Sequence, residues 1–382
     1  MKAILNAIWQ YFKKLDKQLF FVVFAVSCFS VLLLFSFVKN GMLPYEMSNP
    51  SAFYMSQVKA VILGASCALV ISGIDYIKIG KLWFLYGPLT LILTLLLFTS
   101  LGIKRDGADD IAWLNLGFMS IQPSEFLKIA FIMTFSYHIS AVHEHINKPL
   151  NVFLLCIHGI VPTAIIAISG DYGTAAVFIA IFLCMLFSAG ISWKYIFAAL
   201  LITPAVGVFA WFKILQPVHR KRILVLFDPS LDTSIGDQQR LGKIALGSGQ
   251  LFGKGIFGGD YSYVPEAHND FIFSYIGQTC GFVGCLLLVG ALAYICLKIL
   301  ANSRTAKDIE GKCICVGAFA LIFSHSLINI GMVLGVMPVI GVPLPFTSSG
   351  GTAMLSMYIA IGLVMSTYSH SARKTSLFYD SK

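Results

Sequence analysis

Charge is scarce in this sequence. Asp, Glu, Lys and Arg together make up 12% of its 382 residues, about half the share of an ordinary soluble domain, which excludes a surface bathed in water on all sides. Other absences narrow the chemistry. No Gly-x-x-x-x-Gly-Lys-Ser/Thr stretch occurs, so nucleotide hydrolysis on a phosphate loop is excluded. Cys313 and Cys315 are one residue apart, not two, and no histidine cluster accompanies them. Accordingly Cys28, Cys67, Cys156, Cys184, Cys280, Cys285, Cys296, Cys313 and Cys315 are all expected to be apolar core or lipid-facing residues. No small-residue cleavage site follows Leu19–Ser36, which is expected to stay as a first span. The lack of an internal repeat disfavours a simple inverted-repeat transporter.

Apolar residues fill the space that charge leaves: 57% of the chain is hydrophobic and the mean hydropathy is +0.82. Leu19–Ser36, Leu82–Ile103, Pro149–Gly170, Tyr172–Trp193, Tyr195–Phe212 and Phe271–Leu297 carry no charge, and each reaches the length of about 18 residues that marks a membrane span. From Lys312 to Arg373 no Asp, Glu, Lys or Arg intervenes, room for two more spans joined by the Gly/Pro-rich stretch Met337–Pro345. Two weaker segments complete a set of ten, Ala60–Ile74 between Lys59 and Asp75, and Ile121–Val142 with Glu125 and Lys128 inside it. The expected architecture is an all-α, ten-helix integral membrane protein. A membrane domain over 19–367 would include a long extracytoplasmic loop over 213–269 between spans 7 and 8, with cytoplasmic ends at 1–18 and 368–382.

Basic residues test that arrangement, because Lys and Arg in short loops favour the cytoplasm. With both termini inside, the cytoplasmic positions collect Lys2, Lys13, Lys14, Lys17, Lys78, Lys81, Lys148, Lys194, Lys298, Arg304, Lys307, Lys312, Arg373, Lys374 and Lys382, against Lys39, Lys104 and Arg105 outside. The 213–269 loop is too long to lack regular structure and is expected to fold in part as short or re-entrant helices. Within it, the glycines of Ala245–Gly259 offer two readings. Their backbone N–H groups cradle a pyrophosphate beside Lys254, or they form tight turns packed on the membrane domain. Arg220, Arg222, Arg240 and Lys243 are candidate phosphate contacts; nucleic acid is a poor partner for a loop outside the cell.

Ionisable residues in an apolar protein are its most informative sites, because an unpaired charge in lipid is costly. Glu125 and Lys128 stand three apart on one helical face, placed to pair, with Trp113 at the membrane boundary ahead of them. Asp171 opens the helix after a short external turn, as a cap or as a group facing a cavity. His325 and Asn329 share a helix face and read as interhelical hydrogen-bonding groups rather than metal ligands. The strongest candidate is Asp270, where the polar loop enters the Phe271–Leu297 run, with Glu266 and His268 as polar support. A carboxylate there is placed to orient or deprotonate a hydroxyl, to hold a divalent cation (Mg or Mn) against phosphate, or simply to cap a helix. No nucleotide or organic cofactor is expected.

Several separated blocks resemble one family: Gln122-Pro123-Ser124-Glu125-Phe126 with Lys128; Gly170 to Ala175; Phe227-Asp228-Pro229; Ala245 to Gly259; Pro265 to Phe273; and Gly341 to Gly351. In order and spacing they resemble the SEDS proteins (shape, elongation, division and sporulation), most of all the rod-shape branch. The resemblance implies a peptidoglycan glycosyltransferase that polymerises lipid II onto an undecaprenyl-pyrophosphate-linked glycan, alongside a class B penicillin-binding protein (a transpeptidase) and the elongation machinery. It implies that Asp270 is the catalytic residue, and that Trp113, Glu125, Lys128 and the terminal segment with Ser348 and Ser349 belong to the substrate cavity; Asp171, Lys254, Glu266 and His268 are further cavity candidates from the reading of the residues above. Three features depart from the family pattern. Gly107–Ala112 lacks the usual arginine before Trp113, Gly170 replaces a proline, and Gln278 replaces a glutamate. Movement of lipid II across the bilayer, a silent scaffold for the penicillin-binding protein, and service in division remain open alternatives.

Overall fold

The computed structural model describes residues 11, 13–43, 50–104, 110–117, 120–231 and 233–377, and of 229, 233–235 and 372–377 the backbone alone. Lys2, Arg105, the first half of the Gly107–Ala112 block and Lys382 lie outside the described residues. The chain is a helical membrane protein. Its helices are α1 (Lys17–Lys39), α2 (Pro50–Gly73), α3 (Tyr76–Lys81), α4 (Trp83–Leu95), α5 (Pro123–Val142), α6 (Pro149–Ile168), α7 (Tyr172–Ser188), α8 (Trp193–Phe209), α9 (Pro217–Leu224), α10 (Thr233–Ser248), α11 (Ile272–Arg304), α12 (Ile309–Leu334) and α13 (Gly351–Leu377). Three two- or three-residue strands, β1 (Gly102–Ile103), β2 (Trp113–Asn115) and β3 (Ser120–Ile121), form an antiparallel sheet between α4 and α5.

Among the described residues, seven helices are long and apolar enough to cross a membrane: Lys17–Lys39, Pro50–Gly73, Pro149–Ile168, Trp193–Ile214, Ile272–Arg304, Ile309–Leu334 and Gly351–Ser371. Trp83–Phe98 and Tyr172–Ser188 are shorter apolar helices, and α5 carries the Glu125–Lys128 pair. A count of ten therefore requires these three to cross as well. Helix α2 departs from the expected 15-residue segment bracketed by Lys59. It starts at Pro50, a residue whose fixed φ suits a first helical position, and holds Lys59 as an exposed residue of its own, where a long aliphatic stem lets the ammonium reach a polar layer. At the other end, α13 continues to Leu377, past the expected tail boundary at 368.

The packing sorts spans into inside and outside. Helix α12 is 72% buried over its apolar window and α8 has no buried residue at all, so α12 is the axis and α8 a peripheral helix facing lipid. Helices α2 and α13 approach closely because small residues line their contact. A Cβ on Gly64 would lie 2.6 Å from the Tyr358 ring, and one on Gly362 2.9 Å from Ala68 Cα. The Tyr358 hydroxyl then donates to Ser27 Oγ on α1 (2.9 Å). Asp16 caps α1, accepting from Leu19 N (3.2 Å), and also accepts from Asn302 Nδ2 at the end of α11 (2.8 Å). Hydrogen bonds place both ends of the described chain on one face: Tyr11 Oη donates to Leu69 O (2.7 Å), and Lys307 N to Ser371 Oγ (3.2 Å).

On the opposite face, the 213–269 segment does carry helices of its own, α9 and α10, as expected. Less expected is a break in α11. At Gly281 (φ 67°, ψ −166°) the helix is interrupted, and the glycine-rich loop fills the gap: Lys254 N donates to Gln278 O (2.9 Å), Gly255 N to Thr279 O (3.1 Å), Phe282 N to Gln250 O (2.8 Å) and Val283 N to Leu251 O (3.0 Å). No side chain fits here, since a Cβ on Gly253 would meet Thr279 O at 2.2 Å and one on Gly281 would meet Gly253 N at 2.3 Å. The glycines serve close backbone approach. Charge-free sequence reads as an unbroken span, and nothing local reveals that a distant loop satisfies the freed carbonyls.

Candidate active site

Two connecting segments converge above α12. One runs from Val264 to Phe271 ahead of α11, the other from Val336 to Gly350 between α12 and α13. Ser348 Oγ donates to Asn269 O (2.7 Å) and Ser349 N to His268 O (3.0 Å). Asn329, from α12, donates both amide hydrogens, to Asp270 O and Val342 O, each at 2.8 Å. Gln57 from α2 reaches in to Ser348 O (3.2 Å). The Asp270 carboxylate is partly exposed and lies beside Gly341, whose Cβ, if present, would sit 3.4 Å from Oδ2. Glu266 (φ 55°) and Phe346 (φ 60°) adopt the left-handed region without being glycine, a conformation that costs roughly 1–2 kcal/mol each and that gathers at functional sites. His268 is wedged between the rings of Phe37 and Phe53 (centroids 5.8 and 5.2 Å) with its Nε2 3.9 Å from Glu266 Oε2.

Beneath this surface lies the buried ion pair. Lys128 Nζ donates to Glu125 Oε1 (2.9 Å), and Ser356 Oγ on α13 donates to Glu125 Oε2 (2.7 Å). Lys128 also contacts His325 Nε2 (2.9 Å), while His325 Nδ1 lies 3.1 Å from Pro343 O. A carbonyl only accepts, so Nδ1 carries the hydrogen and Nε2 accepts from the ammonium. The pair is thereby linked through one α12 histidine to the segment beside Asp270. Ser124 Oγ, Asn329 Oδ1 and Thr352 Oγ1 are buried here with no hydrogen-bond partner among the described residues, polar lining of the kind a substrate or water satisfies.

Asp171 caps α7 as one of its two expected roles, accepting from Thr174 N (2.9 Å), and Gln122 Nε2 donates to its other oxygen (3.4 Å). Gly170 before it takes φ 93°, a value closed to proline, so this turn differs in shape from the proline-containing family pattern. Burial, reinforced by the Asp110 carboxylate, pushes the Asp171 carboxyl up from 3.8 to about 6. The folded protein holds this proton more tightly than the unfolded chain. Its stabilising contribution is complete below about pH 4, declines as pH rises and is lost above about 6. Asp171→Asn keeps an acceptor for Thr174 N without the charge. It is expected to flatten the decline and to be more stable than the parent above about pH 7. Thermal unfolding in detergent across this range checks it, and an unchanged slope rejects it.

The basic candidates divide. Arg222 Nη1 donates to Val339 O (3.1 Å), two residues from Gly341, and so borders the site. Three others are engaged elsewhere: Arg220 with Leu215 O and Phe212 O (3.0 and 3.2 Å), Arg240 with Asp237 (3.1 Å) and Lys254 with Asp260 O (2.6 Å); Lys243 lies against Gly335, at the start of the Val336–Gly350 segment. Of the two readings of the glycine loop, the packed one holds at Gly253, Lys254, Gly255, Gly258 and Gly259. Each of these N–H groups already donates, to Gly249 O, Gln278 O, Thr279 O, Asn40 Oδ1 and Tyr261 Oη respectively. Gln278 pairs with the Ser262 backbone, accepting from N (2.6 Å) and donating to O (3.2 Å), a two-way match that an ionised glutamate cannot make. Trp113 lies in β2, partly buried. Among the described residues no group of three His, Cys, Asp or Glu could hold a metal ion. Asp270 by itself offers fewer donors than a resident cation needs.

Sequence reasoning singled out Asp270, Glu125, Lys128, His325 and Asn329, but missed Gln57 and Ser356. Both are common polar residues in helices, and no local signal separates them from others of their kind. The family profile described as cell cycle protein, that of FtsW, RodA and SpoVE, matches residues 16–373. The chain belongs to this family. Among its FtsW/RodA/SpoVE relatives, the peptidoglycan glycosyltransferase MrdB of Escherichia coli (strain K12) is 33% identical over 293 residues, covering 75% of this chain and 78% of that one. The probable peptidoglycan glycosyltransferase FtsW of Trichlorobacter lovleyi is 30% identical over 363 residues, 92% of each. A solved chain from a peptidoglycan synthase complex that coordinates polymerization and crosslinking superposes with a TM-score of 0.78 at 21% identity, covering 94% of this chain and 98% of its own.

Proposed function

We propose that this protein is a peptidoglycan glycosyltransferase of the bacterial cytoplasmic membrane, polymerising lipid II at the outer face during elongation of a rod-shaped wall. It crosses the bilayer ten times with both termini in the cytoplasm and works with a class B penicillin-binding protein. The observation that carries the reading is the partly exposed Asp270 carboxylate, on a backbone that Asn329, Ser348 and Ser349 fix, beside a segment tethered to a buried ion pair. The glycosyltransferase names of the MrdB and FtsW relatives support the activity, and likeness to a chain of a synthase complex supports the partner.

In the reaction, a sugar hydroxyl of an incoming lipid II attacks the anomeric carbon of the growing strand with inversion. Asp270 takes the hydroxyl proton, the new glycosidic bond forms, and undecaprenyl pyrophosphate leaves with the electron pair of the broken C–O bond. Arg222, at the border of the site, is placed to meet pyrophosphate charge. Glu125, Lys128 and His325 position the 339–345 segment and touch no substrate. Purified protein in liposomes carrying labelled lipid II, with and without the transpeptidase, is expected to yield glycan polymer on a gel. Labelled lipid that changes leaflet with no polymer formed would assign transport instead.

A further inference from the structure

On the face away from Asp270, where the N-terminal residues lie, an apolar groove of about 550 Å³ opens between α1, α2 and α11, lined by Leu15, Lys17, Gln18, Phe21, Leu69 and Tyr294 among others. Its mouth is built twice over in the same pattern. On α1, Lys17 stands four residues before Phe21; on α11, Lys298 stands four residues after Tyr294. Residues four apart share a helix face, so each helix shows a cation at the rim and an aromatic ring one turn deeper. The two rims are at the same level, because Lys298 Nζ donates to Gln18 Oε1 (3.1 Å). Phe21 and Tyr294 are 71% and 39% exposed, open to whatever occupies the groove.

The charge balance at the rim is positive. Lys17 lines the groove and Lys298 stands beside it through Gln18, and the nearby acid, Asp16, is turned inward: it is 3% exposed, caps α1, accepts from Asn302 and lies 3.7 Å from Lys298. A cationic rim over apolar walls is complementary to an anionic head on a hydrocarbon chain. We propose that this groove binds an anionic glycerophospholipid of the adjacent leaflet. Its phosphate lies at the level of Lys17 and Lys298, and one acyl chain runs along Phe21, Leu69 and Tyr294. A zwitterionic lipid fits the walls equally well but leaves the excess positive charge unmatched.

The full-length protein in nanodiscs of equal parts dioleoylphosphatidylglycerol and dioleoylphosphatidylcholine, released into neutral detergent, tests this by native mass spectrometry of the retained lipid. Phosphatidylglycerol is expected to be retained over phosphatidylcholine by about fivefold for each engaged lysine. Lys17→Gln should lower the preference by about that factor, and Lys17→Gln together with Lys298→Gln should lower it further. Lys194→Gln, at the start of α8, should leave it unchanged. A benzophenone amino acid at position 21 in living cells should crosslink to phospholipid. Equal retention of the two lipids, a preference untouched by Lys17→Gln, or crosslinking to a polypeptide in place of lipid would each overturn the proposal, the last in favour of a partner helix.

Discussion

Asp270→Asn is expected to lower lipid II polymerisation by about 10²–10⁴-fold, the range that a positioned general base contributes, while leaving the thermal midpoint of the protein close to that of the parent. The two halves of the prediction have separate causes. Activity falls because the amide keeps the size of the side chain and loses its basicity at the point where a hydroxyl proton must be accepted. Stability holds because asparagine keeps the size and an accepting oxygen of the side chain and leaves the backbone contacts in place: Asn329 donates to the Asp270 carbonyl, and Ser348 and Ser349 hold the two residues before it. Gel assays of polymer formed by parent and variant, each with its transpeptidase, measure the first; unfolding in detergent measures the second. A variant within tenfold of parental activity removes Asp270 from the role of base.

Lys128→Met is expected to destabilise the protein by about 3–5 kcal/mol, the usual cost of leaving one member of a buried ion pair without the other. Glu125 is 1% exposed and Lys128 0%, so neither can turn to water when its partner is gone. Replacing both, Glu125→Gln with Lys128→Met, removes the uncompensated charge and should recover most of the loss, since exchanging a whole buried pair for neutral groups is close to neutral. Polymerisation should not recover with it. Without the ammonium, His325 Nε2 loses its donor, and the tie between α5 and the Pro343 carbonyl is cut. A double variant with restored stability and parental activity would reduce the pair to a packing element; a single variant as stable as the parent would refute the energetic argument.

The helices were legible in the sequence to different degrees. Long charge-free runs such as Pro149–Gly170 correspond to helices within a few residues, whereas α2 begins ten residues before the expected Ala60, because the exposed Lys59 sits within the helix and does not bound it. The site was half legible. Glu125 and Lys128 declared their pairing through spacing, and Asp270 through its position where polar sequence meets apolar. Which of the basic residues approach the site was not legible: Arg220, Arg240 and Lys254 look no different from Arg222 until the fold hands each its partner.

By itself, the sequence determined that this chain belongs in a bilayer, roughly where its helices lie, and which carboxylate stands at the surface. These are sums over neighbouring residues, since the transfer of each side chain out of water adds along a run. Only the tertiary structure decided what those groups do to one another. Lys128 meets His325 across 197 positions of chain, and the loop at Gln250–Gly255 meets the broken backbone at Gly281. A buried charge or a freed carbonyl must find a partner wherever the packing supplies one, and that supply depends on helices far apart in sequence coming within three ångströms.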